Sequence, residues 1–334
     1  MNARLLELFS NWRQSKLGFA AENAKQVQNI RRLLRKESKI EKDETLSKLY
    51  KHYSDLLHSY MGNKTIWITG GISGIGEATM VACVERGCDV ISVGSRQNQK
   101  NEDLWVQTEL WLKSLASSSE PPYPPFGRYA WIPMDVSDEN QWMNDDWRTA
   151  MKSFYEESPT SVCAPYGVFI NAGTRGPTET VEQLTIEDFR TVFRTNVLGV
   201  SLTLKYGLKI MRQCGQFGTF ILCSSPAAKE GRPAHTLYGT TKAAAENLMR
   251  TEAVRWGNEP KHPGFIIIRP SGVCTDLAIQ AANETANGGK QPKINRDYIG
   301  QIVAEMFAGK INRRQRIYKD VDVDEEILLK AKND

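Results

Sequence analysis

From Lys64 onward the chain alternates short apolar runs with helical stretches, and this alternation constrains its fold more than any other feature. The runs are "KTIWIT" (64–69), "DVISVGS" (89–95), "YAWIPMDV" (129–136), "GVFINAG" (167–173), "GTFILCSS" (218–225) and "GFIIIRP" (264–270). Several are continuously apolar, as strands covered on both faces must be. The segments between them, most plainly 75–86, 185–213 and 239–257, read as helices. Strands alternating with helices build βαβ units, so the expectation is α/β: a doubly wound, Rossmann-like parallel sheet. A last helix near 296–308 and an edge strand around "RQRIYKDV" complete it. The proline cluster "SSSEPPYPPFGR" (117–128) reads as a surface loop, because proline fits neither a helix interior nor a central strand.

Residues 1–62 differ from the rest, being rich in charge, poor in glycine and free of proline. Leu46, Leu49, Tyr50, Tyr53, Leu56, Leu57 and Tyr60 follow a helical spacing after Asp43 as N-cap, and Gly62 offers a stop. Val27, Ile30, Leu33 and Leu34 mark an earlier helix. The division expected is a helical extension over 1–62 and a dinucleotide-binding domain over 63–334. The apolar stripes of the extension need burial against the domain or another subunit. Alternatively, its basic stretch "RRLLRKESKIEKD" docks an acidic partner such as an acyl carrier protein, or an anionic membrane surface.

A net charge of +4 over 334 residues is too small to argue for nucleic acid, and no aromatic residues interleave with the basic run. The cysteines at 83, 88, 163, 214, 223 and 274 form no Cys-x-x-Cys pair and are expected to be reduced thiols, mostly packed in the core. The four histidines (52, 58, 235 and 262) form no metal-ligand pattern, so no bound metal is predicted. No apolar run is long enough for a membrane helix, and no secretory signal opens the chain, which makes a cytoplasmic protein the expectation.

"TGGISGIG" (69–76) directly follows the first strand and opens a helix. Gly70, Gly74 and Gly76, with Ser73 and Ile75 among them, permit a tight turn and a close approach to a pyrophosphate at the positive helix N-terminus. The second strand ends in "VGSR" rather than in an acidic residue. Ser95 and Arg96 there suit a 2'-phosphate, which favours NADP(H) over NAD(H).

At this point the sequence resembles the short-chain dehydrogenase/reductase family, over about residues 64–320. Asp135 and Val136 in "MDVSD" match the family's residues beside the adenine. Asn171, Ala172 and Gly173 match the motif that supports the sheet and lines the cofactor. Asn196 in "TNVLG" matches the helix asparagine of a water-mediated proton relay. In "RPSGVCTD" (269–276), Pro270, Val273 and Thr275 fit the segment that contacts the nicotinamide, while Ser271 stands at the usual glycine position. The resemblance also implies a homo-oligomer, dimer or tetramer, although the C-terminus lacks the glycine-ending strand of many tetrameric members.

Tyr238 and Lys242 lie one helical turn apart on one face, and Ser225 precedes the tyrosine by thirteen positions, the family's spacing. A tyrosine with an ordinary pKa near 10 is a poor acid–base group at neutral pH, so a lysine and an oxidised nicotinamide are expected to favour its phenolate. The resemblance thus implies an NADPH-dependent reduction of a ketone to a secondary alcohol, with Asn196, Ser225, Tyr238 and Lys242 as the catalytic set. The alternative is a non-catalytic cofactor-binding scaffold or regulatory protein acting through its N-terminal arm. The substrate, a small-molecule or carrier-bound carbonyl compound, meets a pocket framed by His235, Trp256, the 174–184 loop and a lid over 276–293. Small ketones, steroids, sugars, polyketide intermediates and acyl thioesters all stay open.

Overall fold

Thr65–Thr69 (β1), Asp89–Val93 (β2), Tyr129–Ile132 (β3), Gly167–Ile170 (β4), Thr219–Cys223 (β5), Gly264–Pro270 (β6) and, last in the chain, Lys319–Val323 (β9) form one parallel sheet in the order β3-β2-β1-β4-β5-β6-β9. These strands come from a computed structural model that describes residues 61–62, 64–118, 127–156, 164–233, 235–257, 259–275, 294–309 and 319–323. Residues 1–60 of the arm expected over 1–62, most of the proline-rich loop and the lid over 276–293 lie outside the described residues. In register, Trp67 faces Ile91 of β2 and Val168 of β4. The order reverses between β1 and β4, and such a reversal opens a crevice at the carboxyl ends of the strands.

Alternation along each strand sends side chains to two separate cores. On one face Trp67, Ile91, Val168, Phe220 and Phe265 pack beneath Asp145–Glu156 (α3), Gly199–Gln213 (α5) and Thr236–Trp256 (α6). On the other, Ile66, Ile68, Phe169, Ile221 and Ile268 pack beneath Gly74–Glu85 (α1) and Arg296–Ala308 (α7), with Leu112 from Gln99–Ser118 (α2). Gly167 is pressed so close that a Cβ would begin 2.3 Å from the Phe307 ring.

Several elements depart from the sequence reading. The strand expected over 129–136 stops at Ile132, because Pro133 has no N–H to give to the ladder. The twenty-residue α2 was not anticipated and takes in Ser117 and Ser118 from the segment read as loop. The single helix expected over 185–213 is three pieces: Ile186–Phe193 (α4), a π turn over Arg194–Leu198, then α5. A capping box starts α4, the Thr185 hydroxyl accepting from the Asp188 N–H while the Thr185 N–H donates to the Asp188 carboxylate. Of the edge strand read at 314–321, the described part begins at Lys319. Val273–Cys274 (β7) and Ile294–Asn295 (β8) pair in parallel as a separate small ribbon.

The cysteine expectation also needs correction. Cys83, Cys88 and Cys223 are buried free thiols, but Cys214, half-buried at the end of α5, is disulfide-bonded, and its partner lies outside the described side chains. Among the described residues no helix is long and apolar enough to cross a membrane.

Phe169 sits in the middle of the sheet with no exposed surface. Phe169→Ala is expected to cost about 3–5 kcal/mol of folding stability, read as a lowered denaturation midpoint with an unchanged slope in chemical unfolding.

Candidate active site

The end of β1 and the start of α1 are joined by a turn that only glycine can make. Gly70 and Gly74 have φ of 67° and 56°. A Cβ on Gly76 would lie 2.1 Å from the Gly70 carbonyl oxygen. The Asn171 amide donates to that oxygen at 3.1 Å, and the N–H groups of Asn171 and Ala172 both donate to the Thr69 hydroxyl, at 3.0 and 3.1 Å. The segment after β4 therefore braces the turn after β1. The N-terminal N–H groups of α1 are left facing the crevice, which suits a phosphate group.

The crevice encloses about 700 Å³, within the usual range for a bound small molecule. Its wall includes Gly70, Ser73, Gly74 and Ile75 from the turn, Ser95 and Arg96 after β2, and Asp135 and Val136 after β3. Asn171, Ala172 and Gly173, then Tyr238, Lys242 and Thr275, continue it. Thus most of the predicted cofactor residues from five loops share one cavity, and the glycine cradle fits a dinucleotide. Gly76 supports this wall from beneath, while Pro270 ends β6 and Val273 is buried in β7, neither of them on the lining. Ser271 does not have a positive φ; Gly272 after it does, at 66°, so the serine sits without backbone strain.

At the end of the crevice that β2 and β3 border, Asp135 is the hub. Its carboxylate accepts from the Ser137 hydroxyl at 2.6 Å and pairs with Arg96 at 3.0 Å and Arg194 at 3.3 Å. Desolvation pushes the Asp135 pKa up, but the Ser137 hydrogen bonds and the two guanidinium groups outweigh it and hold the acid below its ordinary range. Arg96 itself is 67% exposed and rests on Asp135 at the rim of the crevice.

The other end holds the catalytic candidates. Tyr238 and Lys242 project from the first turns of α6 toward the end of β5, where Ser225 begins a short turn and accepts from the Ala227 N–H at 3.2 Å. Ser225 sits beside the Tyr238 phenol. Lys242 is buried, donates to the Cys223 carbonyl at 2.7 Å, and lies 5.6 Å from the centre of the Tyr238 ring. Burial raises the Tyr238 pKa above that of free tyrosine, the neighbouring Cys223 adds to this, and the Ser225 hydroxyl opposes it. The sequence reading had expected a lowered value; desolvation of the phenolate wins in the protein by itself. Burial also depresses the Lys242 ammonium, against the pull of Cys223 and Glu246.

Asn196 lies in the π turn and is buried. Its amide donates to the Thr174 carbonyl at 2.7 Å and the Thr241 hydroxyl at 3.0 Å, and its oxygen accepts from the Thr174 N–H at 2.8 Å. The Asn196 oxygen and the Lys242 ammonium both border Gly173, 3.2 and 3.3 Å from where a Cβ would begin.

Sequence reasoning placed Trp256 at the substrate pocket, but it is eighteen residues beyond Tyr238 on α6, roughly 27 Å along the helix axis at 1.5 Å per residue. It packs instead against Phe217 and under the Arg212 guanidinium. The His235 ring does stand beside the Tyr238 ring, 6.0 Å between centres, with Nδ1 2.9 Å from the Pro233 carbonyl. The reading missed Lys100, Asn101 and Leu104, which reach the crevice from the unanticipated α2, and Cys223 and Arg296. Arg296 pairs with Glu77 of α1 at 2.7 Å, offsetting a carboxylate beside the glycine turn. Only the position of Cys223 just before the two serines signalled its place in advance.

The sequence profile described as "Enoyl-(Acyl carrier protein) reductase" matches residues 70–283. The chain is 26% identical over 216 residues to (+)-cis,trans-nepetalactol synthase of Nepeta racemosa, covering 64% of this chain and 69% of that one. It is 26% identical over 237 residues to 2,5-dichloro-2,5-cyclohexadiene-1,4-diol dehydrogenase of Sphingobium indicum, covering 71% of this chain and 82% of that one. Among solved structures, a short-chain type dehydrogenase/reductase from Mycobacterium ulcerans superposes with a TM-score of 0.63 at 24% identity, over 81% of this chain and 91% of that one.

The lowered pKa of Asp135 makes its ionised form a source of stability that is fully present above the ordinary carboxylate pKa of about 3.9 and is lost as pH falls through the folded-state value. Asp135→Asn is expected to lose that contribution, so its stability falls less steeply than that of the wild type as pH drops below about 4, as measured by denaturant unfolding at stepped pH.

Proposed function

The chain belongs to the short-chain dehydrogenase/reductase family of oxidoreductases, and on that premise we propose that it is an NADP(H)-dependent reductase that converts a ketone to a secondary alcohol. The observation that carries the proposal is the meeting of Tyr238 and Lys242 on the wall of a glycine-lined crevice, with Ser225 beside the phenol and Lys242 anchored to the Cys223 carbonyl. A nicotinamide coenzyme in that crevice would supply the hydride. The turn of Gly70, Ser73, Gly74 and Ile75 would hold its phosphates, and Arg96, shifting from Asp135, would meet the 2'-phosphate.

The residues of the chain supply positioning and the proton. Ser225 would hold the carbonyl oxygen by a hydrogen bond, and Tyr238 would donate its phenolic proton to the same oxygen. The raised pKa of the phenol suits this direction, because a half-buried neutral tyrosine is already the acid the reduction needs. Lys242, beside the phenol, stabilises the phenolate left behind, and Asn196 holds the Gly173–Thr174 wall against which the lysine is packed. We propose that the same asparagine links the lysine to solvent through water. The dehydrogenase relative is named for a cyclic diol, so cyclic ketones head the panel of candidate substrates. A homo-oligomer and a separate helical role for residues 1–62 remain part of the proposal.

Two measurements test the reading. In fluorescence titrations, NADPH is expected to bind in preference to NADH, and Arg96→Ala to weaken NADPH by about ten- to a hundredfold while leaving NADH unchanged, the size of one lost charge-assisted hydrogen bond. On any ketone the wild type reduces, Tyr238→Phe is expected to lower turnover by about a hundredfold or more with coenzyme binding intact. Full turnover in that variant would remove Tyr238 from the proposed role. NADPH binding without hydride exchange on any carbonyl would support the scaffold reading instead.

A further inference from the structure

Behind the catalytic corner lies a buried charge cluster that the proton path does not use. Glu246 stands one turn after Lys242 on α6 and is only 1% exposed. Its Oε1 accepts from the Ser224 hydroxyl at 2.6 Å and from Arg269 Nε at 2.5 Å; its Oε2 accepts from Arg269 Nη2 at 2.6 Å and from Arg250 Nη2 at 2.7 Å. Arg269, near the end of β6, the strand beside the edge strand β9, has no exposed surface at all. Burying such a pair costs each ion its hydration, and an apolar pair of the same volume is often as stable or more so. Stability by itself is therefore a poor reason for a full guanidinium and carboxylate at this place, whereas a fixed geometry is a good one.

The geometry concerns three elements. Successive turns of α6 grip successive residues of β5: Lys242 binds the Cys223 carbonyl and Glu246 binds the Ser224 hydroxyl. The next residue is Ser225. Arg269, one position before Pro270, ties the same carboxylate to β6, which also takes the Ser224 N–H on the Ile268 carbonyl at 2.8 Å. One carboxylate thus joins the strand end carrying Ser225, the helix carrying Tyr238 and Lys242, and the strand leading to the nicotinamide-side loop.

We propose that Glu246, clamped by Arg269, is a positioning residue that fixes Ser225 relative to Tyr238 and Lys242 through the hydroxyl of Ser224. The proposal rests on the reductase reading of the site. The charged and titratable groups around Glu246 are Lys242 and Arg250 on its own helix, Arg269 from β6 and Cys223 from β5. Replacing the carboxylate by an amide leaves an excess of positive charge behind Lys242. That excess favours the Tyr238 phenolate and lowers the pH at which the tyrosine loses its proton.

The test measures ketone turnover against pH, NADPH binding and thermal unfolding for the wild type, Glu246→Gln, Ser224→Ala and the double variant Glu246→Leu/Arg269→Met. Glu246→Gln is expected to lower kcat by about tenfold or more, to leave NADPH affinity within about twofold, and to move the alkaline limb of the kcat profile toward lower pH. Ser224→Ala, which keeps every charge, is expected to lower kcat less and leave the limb in place. The double variant, which removes both buried ions, is expected to melt no lower than the wild type and still turn over slowly, so that loss of rate is separated from loss of fold. Wild-type kcat with an unmoved limb in a folded Glu246→Gln protein, or wild-type kcat in the double variant, overturns the inference by itself. A wild type that binds NADPH but reduces no carbonyl overturns the reductase reading and this inference together.

Discussion

A parallel sheet buried on both faces has no face to spare for a ligand. Its strands need helices above and below, as the paired clusters around Trp67 and Phe169 show, and each inner strand is hydrogen-bonded to a neighbour on both sides. A crevice opens at the strand ends where β1 and β4 send their following segments to opposite sides. That constraint gathers residues as distant in sequence as Gly70, Asp135 and Tyr238 around one crevice. It also explains why the glycines are needed there. The turn after β1 must fold back beneath its own carbonyl before α1 can start, and the space at Gly76 admits no Cβ.

Within the crevice, the state of each polar group is set by what burial costs it and which partner repays that cost. Asp135 remains ionised at the rim because Ser137 and two arginines face it. Tyr238 remains neutral because no comparable donor set surrounds its oxygen, the Ser225 hydroxyl alone opposing desolvation. Lys242 is buried between a backbone carbonyl and the phenol ring. These opposite outcomes at the two ends suit the proposed site, which would recognise a charged nucleotide at one side and deliver a proton at the other.

Much of this was legible in the chain. The six apolar runs mark six of the seven strands of the sheet, since doubly covered strands carry few polar residues, and the glycine turn could be placed because it lies between a strand and a helix. Other features were hidden for physical reasons. Among the described side chains of α2 only Thr108 and Leu112 are buried, so no strong apolar stripe announced it. The π turn at Asn196 leaves no trace in composition, because it changes hydrogen bonding without breaking the helix. Trp256 was misplaced although the helix read over 239–257 already implied its distance, since eighteen residues at about 1.5 Å each carry it away from Tyr238. Cys214 was misread because spacing cannot reveal a bonded partner far away in the chain.

By itself, then, the order of residue types determined that this chain builds a parallel α/β sheet and that a glycine turn, a serine and a Tyr-x-x-x-Lys pair lie at strand ends. Local rules of periodicity, turn chemistry and helix spacing suffice for that, because each acts over a few neighbouring residues. Only the tertiary structure decided that Arg96 and Arg194 share Asp135, that burial raises Tyr238, and that Glu246 joins β5, α6 and β6. Those outcomes depend on desolvation and on contacts between residues remote in sequence, and both exist only once the sheet has closed around them.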